Sequence, residues 1–111
     1  MAVTTKNIIP RKVAEAATTT QYTAVSVRCI IDKLTATNTS GGNVTIDVHL
    51  CPSGGAAGAS NKVVSAKTIV PNEAYTFPEV VGQVLESGGF IATACSSGTA
   101  LVISAAGREI S

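Results

Sequence analysis

The sequence predicts an all-β fold: an antiparallel β-sandwich, jelly-roll-like domain with an extended N-terminal arm. Short segments alternate apolar and polar residues, and Gly, Pro, Asn and Ser separate these segments about every ten residues. The pattern lacks the long helices that a parallel sheet needs for its crossovers. Because aromatic residues make up only 4% of the chain, the core must consist of Val, Ile, Leu and Ala in thin, interdigitating sheets.

The domain organisation follows from a contrast between the two parts of the chain. Residues 1–20 have too little patterned apolar content to fold alone, so we expect an extended arm there and the sandwich in residues 21–111. Pro10 disfavours helix in the middle of this arm. We expect the arm to be mobile in the isolated protein and to become ordered only against a partner.

The clearest strand lies in the middle of the chain. Val44, Ile46, Val48 and Leu50 alternate with polar residues, which predicts one buried face and places His49 on the polar face. The preceding strand, Arg28 to Thr39, changes parity near Asp32 and Lys33, and a bulge there would restore one buried face. The two glycines between these strands predict a hairpin that joins them.

The second half of the chain predicts further short strands and turns. Pro52 to Asn61 is rich in Gly and Ala and is expected to be a flexible surface loop. Its continuation into a strand at Val63 argues against a phosphate-binding loop, which needs a Lys and a hydroxyl residue at the start of a helix. Glu79 to Leu85 is expected to form one helical turn over the end of a sheet.

The residues that could carry chemistry are few and scattered. The chain has one His, three Cys and seven acidic residues, and His49 with Asp47 lacks the nucleophile that a catalytic triad requires. The pair His49 and Cys51 lacks the second ligand pair of a zinc site, and Cys29, Cys51 and Cys95 are read as buried hydrophobes in a reducing compartment. We therefore expect no enzyme activity, no cofactor and no metal.

Charge and targeting signals exclude several partners. The net charge of +1 gives little counterion release, so direct binding to nucleic acid is not expected. The first twenty residues lack the apolar core of a signal peptide, and no segment has the length of a membrane span. We expect synthesis in the cytoplasm and a product that does not bind membranes.

Four runs suggest a family. The chain contains LTATNTSGGNVTI from Leu34, CPSGGAAGASNK from Cys51, VPNEAY from Val70 and VLESGGFIATA from Val84. With its length and N-terminal stretch, the whole chain resembles the capsid-decorating "staple" or cement proteins of epsilon15-like short-tailed bacteriophages. The resemblance implies a jelly-roll-like homodimer on the outer capsid surface of the virion, made in the cytoplasm of the bacterial host. It implies no catalytic residue.

The resemblance implies that the protein holds neighbouring capsid subunits together. Such a protein decorates the shell and joins neighbouring subunits of the major capsid protein against internal DNA pressure, through added interface area and many copies. The arm would supply the contacts, with apolar and basic side chains meeting the capsid. The candidate contact residues are Lys6, Ile8, Ile9, Arg11, Lys12 and Val13.

Two other functions remain open. A carbohydrate-binding or host-attachment module would use the same sandwich, and Tyr22 and Tyr75 could stack on a sugar. A head–tail or tail structural protein would share the composition but occupy a single vertex of the particle. Asn38 and Asn43 match glycosylation acceptor sequences, but without a secretory signal they are better explained by turn formation.

Overall fold

Two antiparallel sheets pack face to face in the computed structural model, which describes residues 2–111 and confirms the all-β sandwich. The first sheet has the strand order β1-β9-β3-β6, with β7 paired to β3, and the second has the order β2-β8-β4-β5. The strands are β1 (Val3–Val13), β2 (Thr19–Thr23), β3 (Arg28–Asn38), β4 (Val44–Cys51), β5 (Lys62–Ile69), β6 (Ala74–Thr76), β7 (Val84–Leu85), β8 (Phe90–Cys95) and β9 (Leu101–Ile110).

This strand order is that of a jelly roll. With the two-residue strand β7 set aside, eight strands remain, and successive strands are distributed over two four-stranded sheets as in a double Greek key. Strand β9 lies between β1 and β3, so the last strand of the chain is paired with the first. The sequence predicted the fold class, and the strand pairing in the structure gives the order of the strands in each sheet.

Strand β1 corrects the prediction of a separate N-terminal arm. Residues 3–13 are extended, but they pair with β9 from Val3 opposite Ile110 onwards. Ile8 and Ile9 are 4% and 1% exposed, because register shifts on both sides of Ile9 let two adjacent side chains enter the core. The stretch is therefore part of the sandwich in this structure rather than a separate arm, and we now expect it to be ordered without a partner.

Strand β3 confirms the predicted bulge. The register against β9 shifts between Ile31 and Lys33. Cys29 and Ile31 before the shift, and Leu34 after it, are all at most 1% exposed. The extra residue, Asp32, reverses the parity of the strand so that both halves bury their apolar side chains against the same core.

The connection from β3 to β4 differs from the predicted hairpin. The two strands lie in different sheets, so the chain crosses from one layer to the other between Asn38 and Val44. Buried Asn38 holds this corner, since its Nδ2 donates to the carbonyl oxygens of Gly42 and Ile69, each at 2.8 Å. Its Oδ1 accepts from the Ser40 backbone N at 2.9 Å. Asn38 therefore forms a turn, as its sequence context predicted.

Strand β4 follows the predicted alternation for three of its four apolar positions. Val44, Ile46 and Val48 are 4%, 1% and 0% exposed, whereas Leu50 is only partly buried against the core. His49, expected on a solvated face, is 5% exposed. The reason is the segment after β4, which folds back over the outer face of the second sheet and covers this side chain.

Residues 79–85 form turns and β7 rather than the predicted helical turn. The Val80 N donates to the Phe77 carbonyl oxygen at 3.3 Å, and the Gln83 N donates to the Val80 carbonyl oxygen at 3.1 Å. These two hydrogen bonds close successive tight turns. Gly82 has a φ of 82°, which ends any helical conformation there. Val84 and Leu85 then pair with β3, so Leu85 enters the core.

Candidate functional site

Strand β1 divides the predicted contact residues into two groups. Ile8 and Ile9 point into the protein's own core and cannot serve as anchors for another molecule. Val13 is 47% exposed at the far end of the strand. Lys6, Arg11 and Lys12 have side chains that reach solvent. Only this second group remains available for contact.

The three basic side chains of β1 differ in their partners. Lys6 Nζ lies 3.4 Å from Glu109 Oε2, and Lys12 Nζ lies 2.9 Å from Glu15 Oε2. For Arg11, the described residues place no carboxylate within ion-pair distance. Arg11 is therefore the β1 cation whose charge is least compensated within the chain.

Glu109 links Lys6 to the junction of the two sheets. Its Oε2 accepts a hydrogen bond from the Tyr22 hydroxyl, which comes from β2 in the opposite sheet. Burial, followed by this hydrogen bond, raises the pKa of Tyr22, so the phenol stays protonated. Tyr22 is 8% exposed and is not available to stack on a sugar.

Glu15 fixes the connection that follows β1. Its Oε1 accepts from Gln21 Nε2 at 3.0 Å and its Oε2 accepts from Lys12 Nζ at 2.9 Å. These hydrogen bonds, from Gln21 first and Lys12 second, lower the pKa of Glu15 from 4.5 to about 2. The side chain is 43% exposed, so solvent screens the interactions and the contribution to stability is modest.

The lowered pKa of Glu15 gives a prediction for acid stability. A carboxylate with a depressed folded-state pKa stabilises the fold above its unfolded value and loses that contribution as pH falls. We expect Glu15→Gln to be less stable than the wild type near pH 7, with the difference shrinking from pH 4.5 toward about pH 2. Urea unfolding of both proteins over this range measures the effect, with Glu79→Gln on an exposed turn as the control. A difference that stays constant with pH would contradict the assignment.

The outer face of the first sheet carries an apolar patch at one end. We define the apolar patch as Val3, Ile30, Val84 and Ile110. Val3 is opposite Ile110 and Val84 is opposite Ile30. The two pairs lie in neighbouring rows, in which Arg28 is opposite Ile110 and Arg108 is opposite Ile30. Val3 is 56% exposed and Val84 is 48% exposed, while the two isoleucines are partly exposed. The sequence analysis missed this patch, although the inward parity of Leu101 and Ile103 would have placed Ile110 on the opposite face.

His49 holds the loop from Pro52 to Asn61 against the second sheet. Its Nδ1 lies 3.1 Å from the Gly58 carbonyl oxygen and 3.1 Å from Asn61 Oδ1, so an Nδ1–H donates to both acceptors. Asn61 Oδ1 also accepts a hydrogen bond from the Gly58 backbone N at 3.0 Å. The predicted flexible loop is thus tied at its second half, and the role of His49 is to position it.

The cysteines and acidic residues stay dispersed in the fold. Cys29, Cys51 and Cys95 are free thiols, and burial raises the pKa of all three. Over residues 2–111, no three His, Cys, Asp or Glu side chains lie close enough to hold a metal ion. The same residues include no helix long and apolar enough to cross a membrane.

Tyr75, the second aromatic residue considered for sugar binding, is also engaged. Its ring packs edge-on against Phe77 at a centroid distance of 5.0 Å, and Lys67 Nζ lies 4.4 Å above the ring centroid. The ammonium group therefore covers one face of the ring on which a sugar could stack. Both tyrosines therefore have structural contacts within the sandwich.

Comparison with known proteins places the fold. No protein-family model matches the chain, and no curated protein matches it. Among solved structures, a chain in the structure of infectious bursal disease virus, Gx strain, is similar, with a TM-score of 0.50 and 17% sequence identity. The match covers 97% of this chain but only 32% of that chain. At this identity the likeness shows the fold alone, so the chain has a sandwich that also occurs within a longer chain of that virus structure.

Proposed function

We propose that this protein is a non-catalytic virion structural protein that decorates the outside of a phage capsid. In this role it clamps neighbouring major capsid protein subunits against internal DNA pressure. The observation that carries the proposal is the first sheet, whose outer face presents the apolar patch and whose edge strand presents basic side chains. Contiguous exposed apolar patches often mark interaction surfaces, whereas single exposed apolar residues do not. The similarity to a chain in a virus structure supports the same class of protein.

A clamp requires two attachment points, and a homodimer supplies them. A two-fold dimer uses the same patch on both copies. The apolar patch spans four adjacent strands. Two arginines are direct neighbours of its members: Arg28 is opposite Ile110, and Arg108, which pairs with Asp32, is opposite Ile30. Two copies joined there would present two β1 edges, each with Lys6, Arg11, Lys12 and Val13 available for one capsid subunit. Many dimers on one shell would multiply modest contacts.

The charge distribution favours protein over nucleic acid as the partner. The net charge is +1, and the ion pairs Lys6 with Glu109, Lys12 with Glu15, Lys62 with Asp47 and Arg108 with Asp32 compensate half of the eight basic residues. Such a surface gives little counterion release on DNA. A carbohydrate module is disfavoured because Tyr22 is buried and the ring of Tyr75 is covered by Lys67.

Reattachment to shells tests the proposal. Shells prepared without this protein should bind the purified wild-type protein and then rupture only at a higher temperature. Val84→Asp places a charge in the apolar patch, where the side chain is 48% exposed, so the variant should fold, remain monomeric and fail to protect shells. The matched control is Val25→Asp at a loop residue that is 71% exposed, and it should protect as the wild type does. Wild-type protein that does not bind shells would contradict the proposal.

A further inference from the structure

A groove crosses the outer face of the first sheet beside β1. It has a volume of about 440 Å³, within the range of about 300–1,000 Å³ typical of ligand sites. Strand β9 forms its floor, and β1 and β3 form its walls. Its lining includes the side chains of Asn7, Arg11, Lys33, Thr35, Ser104 and Ala106. A second depression shares Asn7 and Ala106 with it and is also lined by Lys6 and Asp32.

Bulges in two strands account for this groove. The register of β1 against β9 shifts on both sides of Ile9, which directs both Ile8 and Ile9 inward. The β3 bulge at Asp32 lies on the other side of β9. Bulges bend and twist a strand locally, and small residues on β9 between the two walls, Ser104 and Ala106, leave the space unfilled.

The charge of the groove is positive and uncompensated. Arg11 and Lys33 project from opposite walls, and neither forms an ion pair with any carboxylate in the part of the chain that the structure describes. The nearby Arg108 is different, because Asp32 accepts hydrogen bonds from its Nε at 3.1 Å and from its Nη2 at 3.0 Å. An anionic group entering between Arg11 and Lys33 would therefore meet two cations with no competing acid in the lining.

We propose that this groove binds an extended acidic peptide segment of a protein partner, with one carboxylate held between Arg11 and Lys33. The guanidinium group of Arg11 can pair with both carboxylate oxygens, and the hydroxyls of Thr35 and Ser104 and the amide of Asn7 can bind a peptide backbone. The small side chains of the floor allow that backbone to approach closely. The inference rests on the proposed function only for the identity of the partner, a capsid subunit.

The lining favours a polypeptide over a single-stranded nucleic acid. Sites for single-stranded nucleic acids use aromatic side chains on which bases stack, and the residues that line this groove include no aromatic one. The second depression offers room for a neighbouring residue of an extended chain, and the carboxylate of Asp32 in its lining is paired with Arg108. An acidic polysaccharide also carries carboxylate groups, so the test compares the peptide with an oligoglucuronate.

A titration with a blocked tetraglutamate peptide tests the groove in isolated protein. Amide NMR signals of Asn7, Lys33 and Thr35 should shift together and saturate, and the shifts should diminish with added salt. The double variant Arg11→Gln/Lys33→Gln should bind at least about tenfold more weakly, since it removes both charged donors. Arg28→Gln is the matched control, because Arg28 is an exposed basic residue of β3 outside this groove.

The outcomes separate this inference from the proposed function. No saturable binding, equal binding by wild type and double variant, or tighter binding of an oligoglucuronate than of the peptide would overturn the groove assignment. The same variants on shells complete the test. If wild-type protein binds shells and the double variant binds them equally well, the assignment of a capsid subunit as the partner of the groove fails while the capsid role stands. If the wild type binds the peptide at the groove but not the shells, the groove stands and the capsid role fails.

Discussion

Ile46→Asp is expected to abolish cooperative folding of the protein. Ile46 lies in the middle of β4, is 1% exposed and belongs to the core between the two sheets. An unpaired carboxylate in this position costs several kcal/mol, against a total stability of about 5–15 kcal/mol for a domain of this kind. Circular dichroism during heating should show no cooperative transition.

The control for this variant is the neighbouring position. Thr45 precedes Ile46 on the same strand but its side chain is partly exposed on the other face. Thr45→Asp should retain a cooperative transition and lose only a small part of the stability, mostly through repulsion with Asp47. If both variants lost the transition equally, the assignment of the two faces of β4 would be incorrect.

Removal of residues 1–13 is expected to destabilise the sandwich as a whole. The deletion takes away Ile8 and Ile9, which are 4% and 1% exposed, and leaves β9 as an unprotected edge beside the core. We expect a truncated chain that melts far below the wild type or aggregates. Thermal melting by circular dichroism, with size-exclusion chromatography for aggregation, measures both results.

A single substitution tests the same point with less disturbance. Ile9→Ala should cost about 2–5 kcal/mol, the range for truncating a buried aliphatic side chain. Val13→Ala on the same strand, where the side chain is 47% exposed, should stay within about 0.5 kcal/mol. Urea unfolding distinguishes the two. Truncated or Ile9→Ala protein that unfolds as the wild type does would mean that the N-terminal stretch is independent of the core.

The sequence contained enough information for the fold class and for several local features. The alternation from Val44 to Val48 predicted a half-buried strand, and the change of parity around Asp32 predicted the β3 bulge. Both are local signals, since a strand with one buried face shows them regardless of its partners. The turn role of Asn38 is local for the same reason.

Features that depend on distant pairing could not be predicted. In β1, two bulges remove the period of two, so adjacent Ile8 and Ile9 looked like isolated apolar residues of a tail. The segment after Asn38 has the composition of a hairpin. However, the Asn38 side chain donates a hydrogen bond to the Ile69 carbonyl oxygen, which ties this segment to the other sheet. Such a contact joins positions far apart in sequence and leaves no local pattern.

In the candidate site, too, some features have a local sequence signal and others depend on the pairing of distant strands. The cations of β1, Arg11 among them, were proposed as capsid contacts from residue type alone, and the structure shows that they reach solvent. Lys33 and Ser104 join Arg11 in the groove only because β9 brings β1 and β3 together. The apolar patch likewise combines strands from both ends of the chain, and the sequence shows its members only as separate valines and isoleucines.

Copy number in purified virus particles tests the proposed role most directly. A protein that clamps subunits over the whole shell must be present in numbers comparable with the major capsid protein, whereas a head–tail or tail protein occupies one vertex. Quantitative mass spectrometry of both proteins in the same particles gives the ratio. We predict a fixed ratio of the order of one copy per capsid subunit, and a value of only a few copies per particle would contradict the capsid-decorating role.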